Sequence, residues 1–167
     1  MNFVNSTDKQ IKLILQLRNN NDIRKWMFTQ TAISENEHRR FINKLKNDFK
    51  NIYFSVFTTN EELLGVIYLQ NIDLESESAY LGIYSNIECN ISNKGDVLMS
   101  IIKFIAYTSL KLNTLKLEVF SNNERAIKFY KKQNFIQQNT LTKTALINNQ
   151  LNNIEVFVLT NINLHGK

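Results

Sequence analysis

The sequence predicts an α+β fold, with a central sheet of about six to seven strands flanked by helices. Three observations predict this class. Apolar residues recur every three or four positions in the N-terminal part, alternating apolar residues then mark three successive strands, and a helix, a strand, a second helix and final strands follow. The length of 167 residues fits one domain, residues 1–167, with a sizeable core.

Three helices are predicted before the first strand. The first covers residues 8–19, where apolar side chains recur at helical spacing. A break follows, and Asp22 is the predicted cap of a short second helix at residues 23–28. The third helix spans residues 34–49 and opens with a Ser-x-x-Glu capping box, which is a signature of a helix N-terminus.

A strand meander and a long helix come next. Strands are predicted at residues 51–58, 63–70 and 79–85, and short polar turns separate them. Strands joined by such short turns pair in the antiparallel sense. After a loop, Gly95 opens a helix whose apolar residues continue to Leu110.

The most informative stretch is residues 114–135, TLKLEVFSNNERAIKFYKKQNF. It begins as a strand, because its leucines and its valine fall on alternate positions. It then turns, since Ser121 followed by Glu124 has the spacing of a capping box. The helix predicted after this turn carries four residues on one face: Asn123, Ala126, Ile127 and Tyr130.

The end of this helix and the last strands are also marked in the sequence. Asn134 suits a left-handed residue just after a helix end, and the apolar pair that follows it starts another strand. Residues 148–153 are the predicted turn between the two final strands. The last of these strands is predicted at residues 154–160.

Composition excludes several classes of protein. The net charge is +5, but the basic residues are dispersed along the chain, so an anionic small molecule is a better partner than nucleic acid. There is no run of about 18 apolar residues and no layout of a secretion signal, so no membrane association and a cytoplasmic location are expected. Cys89 is the only cysteine, which excludes an intramolecular disulfide and a thiolate metal cluster, and no metal site is predicted.

The stretch 114–135 resembles the second half of the cofactor site in the GNAT family of acetyl-CoA-dependent N-acetyltransferases. There, a strand ends in Asn, Ala and Tyr follow on the next helix, and Gly-Phe closes it. The matching residues are Asn123, Ala126, Tyr130, Asn134 and Phe135, with Asn134 in place of Gly. The resemblance covers nearly the whole chain and implies acetyl-CoA as cosubstrate and a mostly antiparallel, twisted sheet.

The resemblance also implies a pyrophosphate-binding loop. The family has Gln/Arg-x-x-Gly-x-Gly/Ala before a helix, whose N-terminal N–H groups and dipole favour an anion. Here the candidate is residues 90–95, in which only the second glycine is kept. An ordinary helix start is the alternative. The implied cofactor-binding residues, including the third meander strand for the oxyanion, are Asn93, Lys94, Gly95, Asp96, Asn123, Ala126, Leu81 and Ile83.

Within this family, the chain looks most like the bacterial sugar-nucleotide N-acetyltransferases of pseudaminic acid biosynthesis, a pathway of flagellin and surface-glycan modification. Those enzymes acetylate the 4-amino group of a UDP-linked 4-amino-4,6-dideoxy sugar. The match rests mainly on Leu17-Arg18-Asn19, Trp26-Met27, Ile33-Ser34, Tyr80-Leu81-Gly82-Ile83-Tyr84 and Leu117-Glu118-Val119. It implies a nucleotide-sugar partner and these substrate-binding residues: Arg18, Trp26, Met27, His38 and Tyr84.

Acetyl transfer to an amine needs a neutral amine, donors for the oxyanion and help for the departing thiolate. The resemblance makes Tyr130 the acid that protonates the thiolate and Glu118 the carboxylate beside the amine. The alternatives are a core tyrosine and a surface ion pair with Lys116 or a neighbouring strand. Likewise, His38 is either substrate-binding or solvent-facing, and Arg18 either grips a pyrophosphate or caps its own helix.

Two other functions stay open at this point. One is acetylation of a protein N-terminus or of a small amine such as a polyamine. The other is a non-catalytic acyl-CoA-binding module on the same fold. A nucleotide-sugar site predicts that Arg18, His38 and Tyr84 converge in one cleft. The oligomeric state is open too, with a homodimer as one option.

Overall fold

The structure, a computed structural model, describes residues 1–138, 143–148 and 150–161. Its α-helices are α1 (Asp8–Asn19), α2 (Asn21–Arg24), α3 (Glu35–Leu45), α4 (Lys94–Phe104) and α5 (Glu124–Lys132). A π-helical turn, Ile105–Ser109, continues α4, and a 3-10 turn, Phe3–Asn5, precedes α1. Its strands are β1 (Ile52–Phe57), β2 (Leu63–Asp73), β3 (Ser78–Ser85), β4 (Thr114–Phe120), β5 (Ile136–Gln137), β6 (Lys143–Ile147) and β7 (Gln150–Thr160).

All of these strands belong to one sheet, in the order β1-β2-β3-β4-β7-β5, with β6 paired to β7. The pair β3 and β4 is parallel, and the other pairs among the described strands are antiparallel. The predicted α+β fold with a mostly antiparallel sheet is therefore confirmed. None of the helices in the described ranges is long and apolar enough to cross a membrane.

The caps of the first helices agree with the sequence in one place and differ in another. The predicted capping box of α3 is present, since Ser34 Oγ accepts a hydrogen bond from the Glu37 N–H at 3.3 Å. The predicted cap of α2 is wrong. Asn20 caps this helix by accepting from the N–H of Asp22 at 2.9 Å, so Asp22 lies inside the helix rather than before it.

The predicted capping box of Ser121 and Glu124 at α5 is also wrong. Asn123 is the cap, and its Oδ1 accepts from the Ala126 N–H at 3.2 Å. The reason lies in the sheet, because the Ser121 N–H still donates to the carbonyl of Asn153 at 3.0 Å. Ser121 thus remains tied to β7, and the helix begins further along the chain.

The ends of the elements show similar differences. Helix α3 ends at Leu45 rather than near Phe49, because Asp48 begins a turn and accepts from two backbone N–H groups beyond it. At the end of α5, Asn134 has a φ of 67°, which confirms the predicted left-handed residue. The last hairpin is tighter than predicted, since β7 already begins at Gln150.

The sheet carries an apolar core on each face. On one face, α4 and α5 cover buried residues of the central strands, such as Leu69, Leu117 and Phe157. On the other face, α1 and α3 pack against the sheet through residues such as Ile14 and Ile42. The amphipathic helices predicted from the sequence therefore bury their apolar sides against the sheet, which is the main driving force for this arrangement.

A gap between two central strands is the feature of the fold that creates a site. Strand β3 pairs with β4 only where Ser78–Tyr80 meets Thr114–Lys116, yet the strands continue to Ser85 and Phe120. Beyond these residues, β3 and β4 are no longer paired with each other. The N-termini of α4 and α5 face this region, so the interrupted pairing leaves room for a ligand in the middle of the sheet.

Candidate active site

A cavity of about 490 Å³ occupies the gap between β3 and β4. Its wall also includes the N-termini of α4 and α5 and the segment at residues 22–28. Most of the site residues predicted from the sequence lie on this one wall, although they are distant in the chain. They are Trp26, Met27, Leu81, Ile83, Tyr84, Asn93, Lys94, Gly95, Asp96, Glu118, Asn123, Ala126 and Tyr130.

The N-terminus of α4 is open towards the cavity. Asn93 takes the cap position in a left-handed conformation, with φ 57° and ψ 27°, and its side chain does not cap the helix. The first N–H groups of a helix have no partner within it, so those of α4 are left for a ligand. The ammonium of Lys94 donates to the Cys89 carbonyl at 2.5 Å, which holds the loop before the helix.

Gly95 and Asp96 bring the two helices of the cavity together. A Cβ on Gly95 would lie 3.0 Å from Phe129 Cε2, so the glycine permits a close approach of α4 to α5. The Asp96 carboxylate accepts from Gln133 Nε2 at 2.6 Å and pairs with Lys132 at 3.3 Å. Asp96 therefore has partners on α5 while it also borders the cavity.

Tyr130 belongs to both the core and the cavity. Its side chain is buried, with edge-on contacts to the rings of Phe129 and Phe135 at 5.5 and 5.9 Å. Of the described residues, none hydrogen-bonds to its hydroxyl. Burial raises the pKa of Tyr130 above its ordinary value, and Tyr68 adds to the rise. The phenol is therefore protonated at neutral pH, as a proton donor must be.

Glu118 borders the cavity and is also part of an ion pair. It lies on the cavity wall, and Lys143 on β6 pairs with its carboxylate at 2.5 Å. This hydrogen bond raises the pKa of Lys143. Lys116, the other predicted partner, instead donates to Ser78 Oγ at 3.2 Å. The ion pair thus comes from the last hairpin, and it holds Glu118 at the edge of the cavity.

Arg18 is near Tyr84 and His38 is near Arg18, but neither of the two borders the cavity. Arg18 Nη2 donates to the Thr29 carbonyl at 2.7 Å, which ties α1 to the segment after α2 rather than capping α1. Burial lowers the pKa of Arg18, and the nearby Tyr84 opposes this effect. Of the three residues expected to converge in one cleft, only Tyr84 borders the cavity.

His38 is not solvent-facing, because only 4% of it is exposed and it packs edge-on against Phe3. Burial, together with the charges of Arg18 and Arg39, lowers its pKa to about 4, so it is neutral at neutral pH. His38 Nε2 and Arg18 Nη1 are both buried, and neither has a hydrogen-bond partner among the described residues. Neither side chain lines the cavity.

The sequence did not single out several residues on the wall. Phe28 is 51% exposed and its ring lies 5.6 Å from that of Phe120, so they extend the apolar surface formed by Trp26 and Met27. Arg125 contributes a positive charge beside the α5 N-terminus. Its place next to Ala126 in the motif could have pointed to it, whereas the contact of Phe28 with β4 leaves no trace in the sequence.

Metal binding finds no support in the described part of the chain. It contains no group of three or more His, Cys, Asp or Glu side chains placed to hold a metal ion. The cavity instead offers backbone N–H groups, a phenol, a carboxylate and an aromatic surface.

Comparisons with known proteins agree on one family. A family model described as "Acetyltransferase (GNAT) domain" matches residues 4–156. The "Acetyltransferase PseH" of Campylobacter jejuni is 38% identical over 134 residues, which are 80% of this chain and 82% of that protein. A second Campylobacter jejuni protein with the same name is 39% identical over the same share of both chains.

Solved structures show the same fold. The Campylobacter jejuni N-acetyltransferase PseH in complex with acetyl coenzyme A superposes with a TM-score of 0.73 at 31% identity, covering 96% of each chain. The spermidine N-acetyltransferase from Vibrio cholerae, in complex with CoA and spermine, has a TM-score of 0.84 at 22% identity. It covers 93% of this chain and 92% of that one, and at this identity the likeness concerns the fold alone.

Proposed function

The chain belongs to the GNAT family of acetyl-CoA-dependent N-acetyltransferases, and we propose that its acceptor is the 4-amino group of a UDP-linked 4-amino-4,6-dideoxy sugar. The observation that carries the proposal is the single cavity that unites an uncapped helix N-terminus, Tyr130, Glu118 and an aromatic surface. The likeness to the PseH acetyltransferases supports the acceptor class, within the pathway of pseudaminic acid and surface-glycan modification.

The cofactor side of the cavity fits the pyrophosphate of coenzyme A. Acetyl-CoA supplies the acetyl group as a thioester, a form that an amine can attack. The free N–H groups at the start of α4 suit the pyrophosphate, and Arg125 adds a positive charge at the same wall. Asn123 stabilises the start of α5 by capping it and so fixes the opposite side of the cofactor site.

The acceptor side fits a polar ring system with an amine. Trp26, Phe28 and Phe120 present aromatic area on which a nucleobase or sugar ring can pack. Glu118 lies on the same wall and accepts the amine proton, directly or through a water. Lys143 pairs with this carboxylate at 2.5 Å, so the amine must share or displace that contact when it reaches Glu118.

Two groups then handle the charge that develops during transfer. Residues 81–83 of β3 line the gap, and their backbone N–H groups are the donors proposed for the carbonyl oxygen as it gains negative charge. Tyr130 donates its hydroxyl proton to the departing sulfur and is reprotonated from solvent afterwards. The raised pKa of Tyr130 keeps this proton in place until the thiolate forms.

The test is an acceptor screen with the purified protein and acetyl-CoA, in which free thiol is measured. A UDP-linked 4-amino-4,6-dideoxy sugar is compared with spermidine and with peptides that have a free N-terminus. We expect the highest kcat/KM with the nucleotide sugar. Preference for spermidine or a peptide would contradict the proposed acceptor, and binding of acetyl-CoA without turnover on any amine would favour a non-catalytic module.

A further inference from the structure

Tyr68 reaches the cavity from a strand that does not border the gap. It lies on β2, and β3 separates this strand from the gap in the order of the sheet. Nevertheless Tyr68 lines the cavity together with Tyr130 and Glu118. Its side chain must therefore cross over β3.

Gly82 makes this crossing possible. Tyr68 and Gly82 are direct partners in the antiparallel register of β2 and β3. A Cβ built on Gly82 would lie 2.0 Å from Tyr68 Cζ, 2.1 Å from its hydroxyl oxygen and 2.5 Å from Cε2. The phenol thus fills the space that any side chain at position 82 would need. The missing side chain of Gly82 lets the hydroxyl of Tyr68 pass over β3 to the cavity.

The ring of Tyr68 is held in this position from behind. Tyr53 on β1 stacks on it, with ring centroids 4.8 Å apart and planes inclined by 17°. Phe41 on α3 in turn meets Tyr53 edge-on at 5.0 Å. Such aromatic contacts fix the plane of the phenol and leave little freedom for its hydroxyl.

The hydroxyl of Tyr68 is available to a ligand. No described residue hydrogen-bonds to it, although Arg18 lies close enough to oppose the rise in its pKa that burial causes. It is also near enough to Tyr130 to raise the pKa of that phenol. A polar group that is largely enclosed, has no protein partner and borders a cavity is suited to meet a substrate.

We infer that Tyr68 is an acceptor-binding residue, whose hydroxyl accepts a hydrogen bond from the attacking amine on the β3 side of the gap. This inference rests on the proposed acetyl transfer in this cavity. A neutral primary amine has two N–H donors and a lone pair that must face the thioester carbon. Glu118 receives one N–H from the β4 side and Tyr68 receives the other, so the two oxygens orient the lone pair.

The first test replaces Tyr68 by phenylalanine, which keeps the ring over Gly82 and removes only the hydroxyl. We expect kcat/KM for the acceptor to fall about 3- to 10-fold, the value of one hydrogen bond, with unchanged affinity for acetyl-CoA by calorimetry. The matched control is Tyr107→Phe, which also removes a tyrosine hydroxyl without a described partner, at a position that does not border the cavity. Its kinetics should equal those of the wild type.

The second test is a double-mutant cycle of Tyr68→Ala and Gly82→Ala. In the wild-type background Gly82→Ala displaces the phenol and should lower acceptor kcat/KM at least as much as Tyr68→Phe does. In the Tyr68→Ala background the same change meets no phenol and should cost nothing further. Additive losses would overturn the inference, since Gly82 would then act independently of Tyr68. The Tyr68→Phe and Tyr107→Phe pair decides the question if Gly82→Ala does not fold.

These outcomes separate the inference from the proposed function. A wild-type protein that prefers spermidine or a peptide refutes the sugar acceptor, and the Tyr68 variants are then compared on the amine it does use. Equal kcat/KM of Tyr68→Phe and wild type on the preferred amine overturns the role of Tyr68 and leaves the acetyltransferase intact. Absence of turnover with every amine overturns both.

Discussion

The hydroxyl of Tyr130 lies where the core meets the cavity. Its ring packs against two phenylalanines, and burial raises the pKa of the phenol. Glu118 also borders the cavity while another part of the chain holds it, because Lys143 pairs with its carboxylate. At the scale of single residues, the cavity wall is therefore built partly from side chains that other parts of the fold hold in place.

We predict that Tyr130→Phe lowers kcat at least tenfold, because general acid catalysis is typically worth about 100- to 10,000-fold. The variant keeps the ring, so its folding and its affinity for acetyl-CoA should change little. Steady-state kinetics under conditions where chemistry limits the rate measure the effect. The matched control is Tyr107→Phe, which removes another buried hydroxyl without a described partner, at a position that does not border the cavity.

Full kcat in a folded Tyr130→Phe protein would mean that the thiolate leaves unaided or through a water. Tyr130 would then be a core residue. An equal loss of kcat in Tyr107→Phe would point to a general effect on the fold instead of proton donation.

At the scale of elements, two helix N-termini face the same gap and differ in their caps. Helix α5 is capped by Asn123, so part of its hydrogen-bonding capacity is used within the protein. Helix α4 has no side-chain cap from Asn93, so its N–H groups remain for an anion. The two helices touch where Gly95 approaches Phe129. One helix end is thus capped by a side chain, and the other has no side-chain cap and borders the cavity.

We predict that Asn123→Ala lowers the free energy of unfolding by about 1 kcal/mol, since the α5 N-terminus loses its side-chain acceptor. Ser121→Ala is the matched control, because Ser121 contributes a backbone N–H to the sheet and does not cap the helix. Urea unfolding monitored by circular dichroism compares the two. If Ser121→Ala lost more unfolding free energy than Asn123→Ala, the result would support Ser121 as the cap of α5, as the sequence predicted.

We predict that Gly95→Val weakens acetyl-CoA binding about tenfold. The added side chain pushes against Phe129, which lines the cavity, and overpacking of this kind costs on the order of 1–3 kcal/mol. Calorimetric titration with acetyl-CoA measures the change. Ser100→Val introduces the same side chain on an exposed position of α4 away from the cavity, and it should bind like the wild type. Unchanged affinity in Gly95→Val would remove this loop from the cofactor site.

At the scale of the whole molecule, the sheet separates two apolar cores, and the gap between β3 and β4 interrupts its pairing. The core between the sheet and α1 and α3 contains His38 as a buried neutral imidazole. Its pKa is lowered to about 4 from an ordinary value of 6.5. Protonation of this residue therefore opposes the folded state.

The sign of the pH dependence follows from this shift. The unfolded chain binds a proton at His38 below about pH 6.5, whereas the folded protein resists it down to about pH 4. The contribution of neutral His38 is complete above pH 6.5 and is lost as the pH falls through that window. We predict a loss of about 1–3 kcal/mol of unfolding free energy from this group between pH 7 and pH 4.

The measurement compares wild type with His38→Gln by urea unfolding at several pH values. Since the other titrating groups are common to both proteins, the difference between their unfolding free energies isolates His38. The unfolding free energy of the wild type relative to His38→Gln should fall by about 1–3 kcal/mol as the pH falls from 7 to 4. A difference that is independent of pH would mean that His38 has the same pKa in the folded protein as in the unfolded chain.

Local patterns were sufficient for most of the fold. Helical spacing marked α1, α3, α4 and α5, and alternation marked the meander and β4, because these elements bury one face and the burial leaves a period in the sequence. Helix caps were less reliable. Asn20 and Asn123 are the N-caps of α2 and α5, whereas the sequence predicted a nearby residue in each case. Several residues near a helix start can accept a hydrogen bond from the same N–H, and the other hydrogen bonds of the segment determine which one does.

Taken alone, the sequence determined the order of the elements, the α+β class and the motif that joins Asn123, Ala126 and Tyr130. Only the tertiary structure decided which side chains meet. It left Arg18 and His38 out of the cavity lining, paired Glu118 with Lys143, and brought Tyr68 across β3 above Gly82. Such contacts join residues that are far apart in the chain, and they depend on register, on strand crossing and on one missing side chain. None of these leaves a local period in the sequence, because each arises when separate elements pack together.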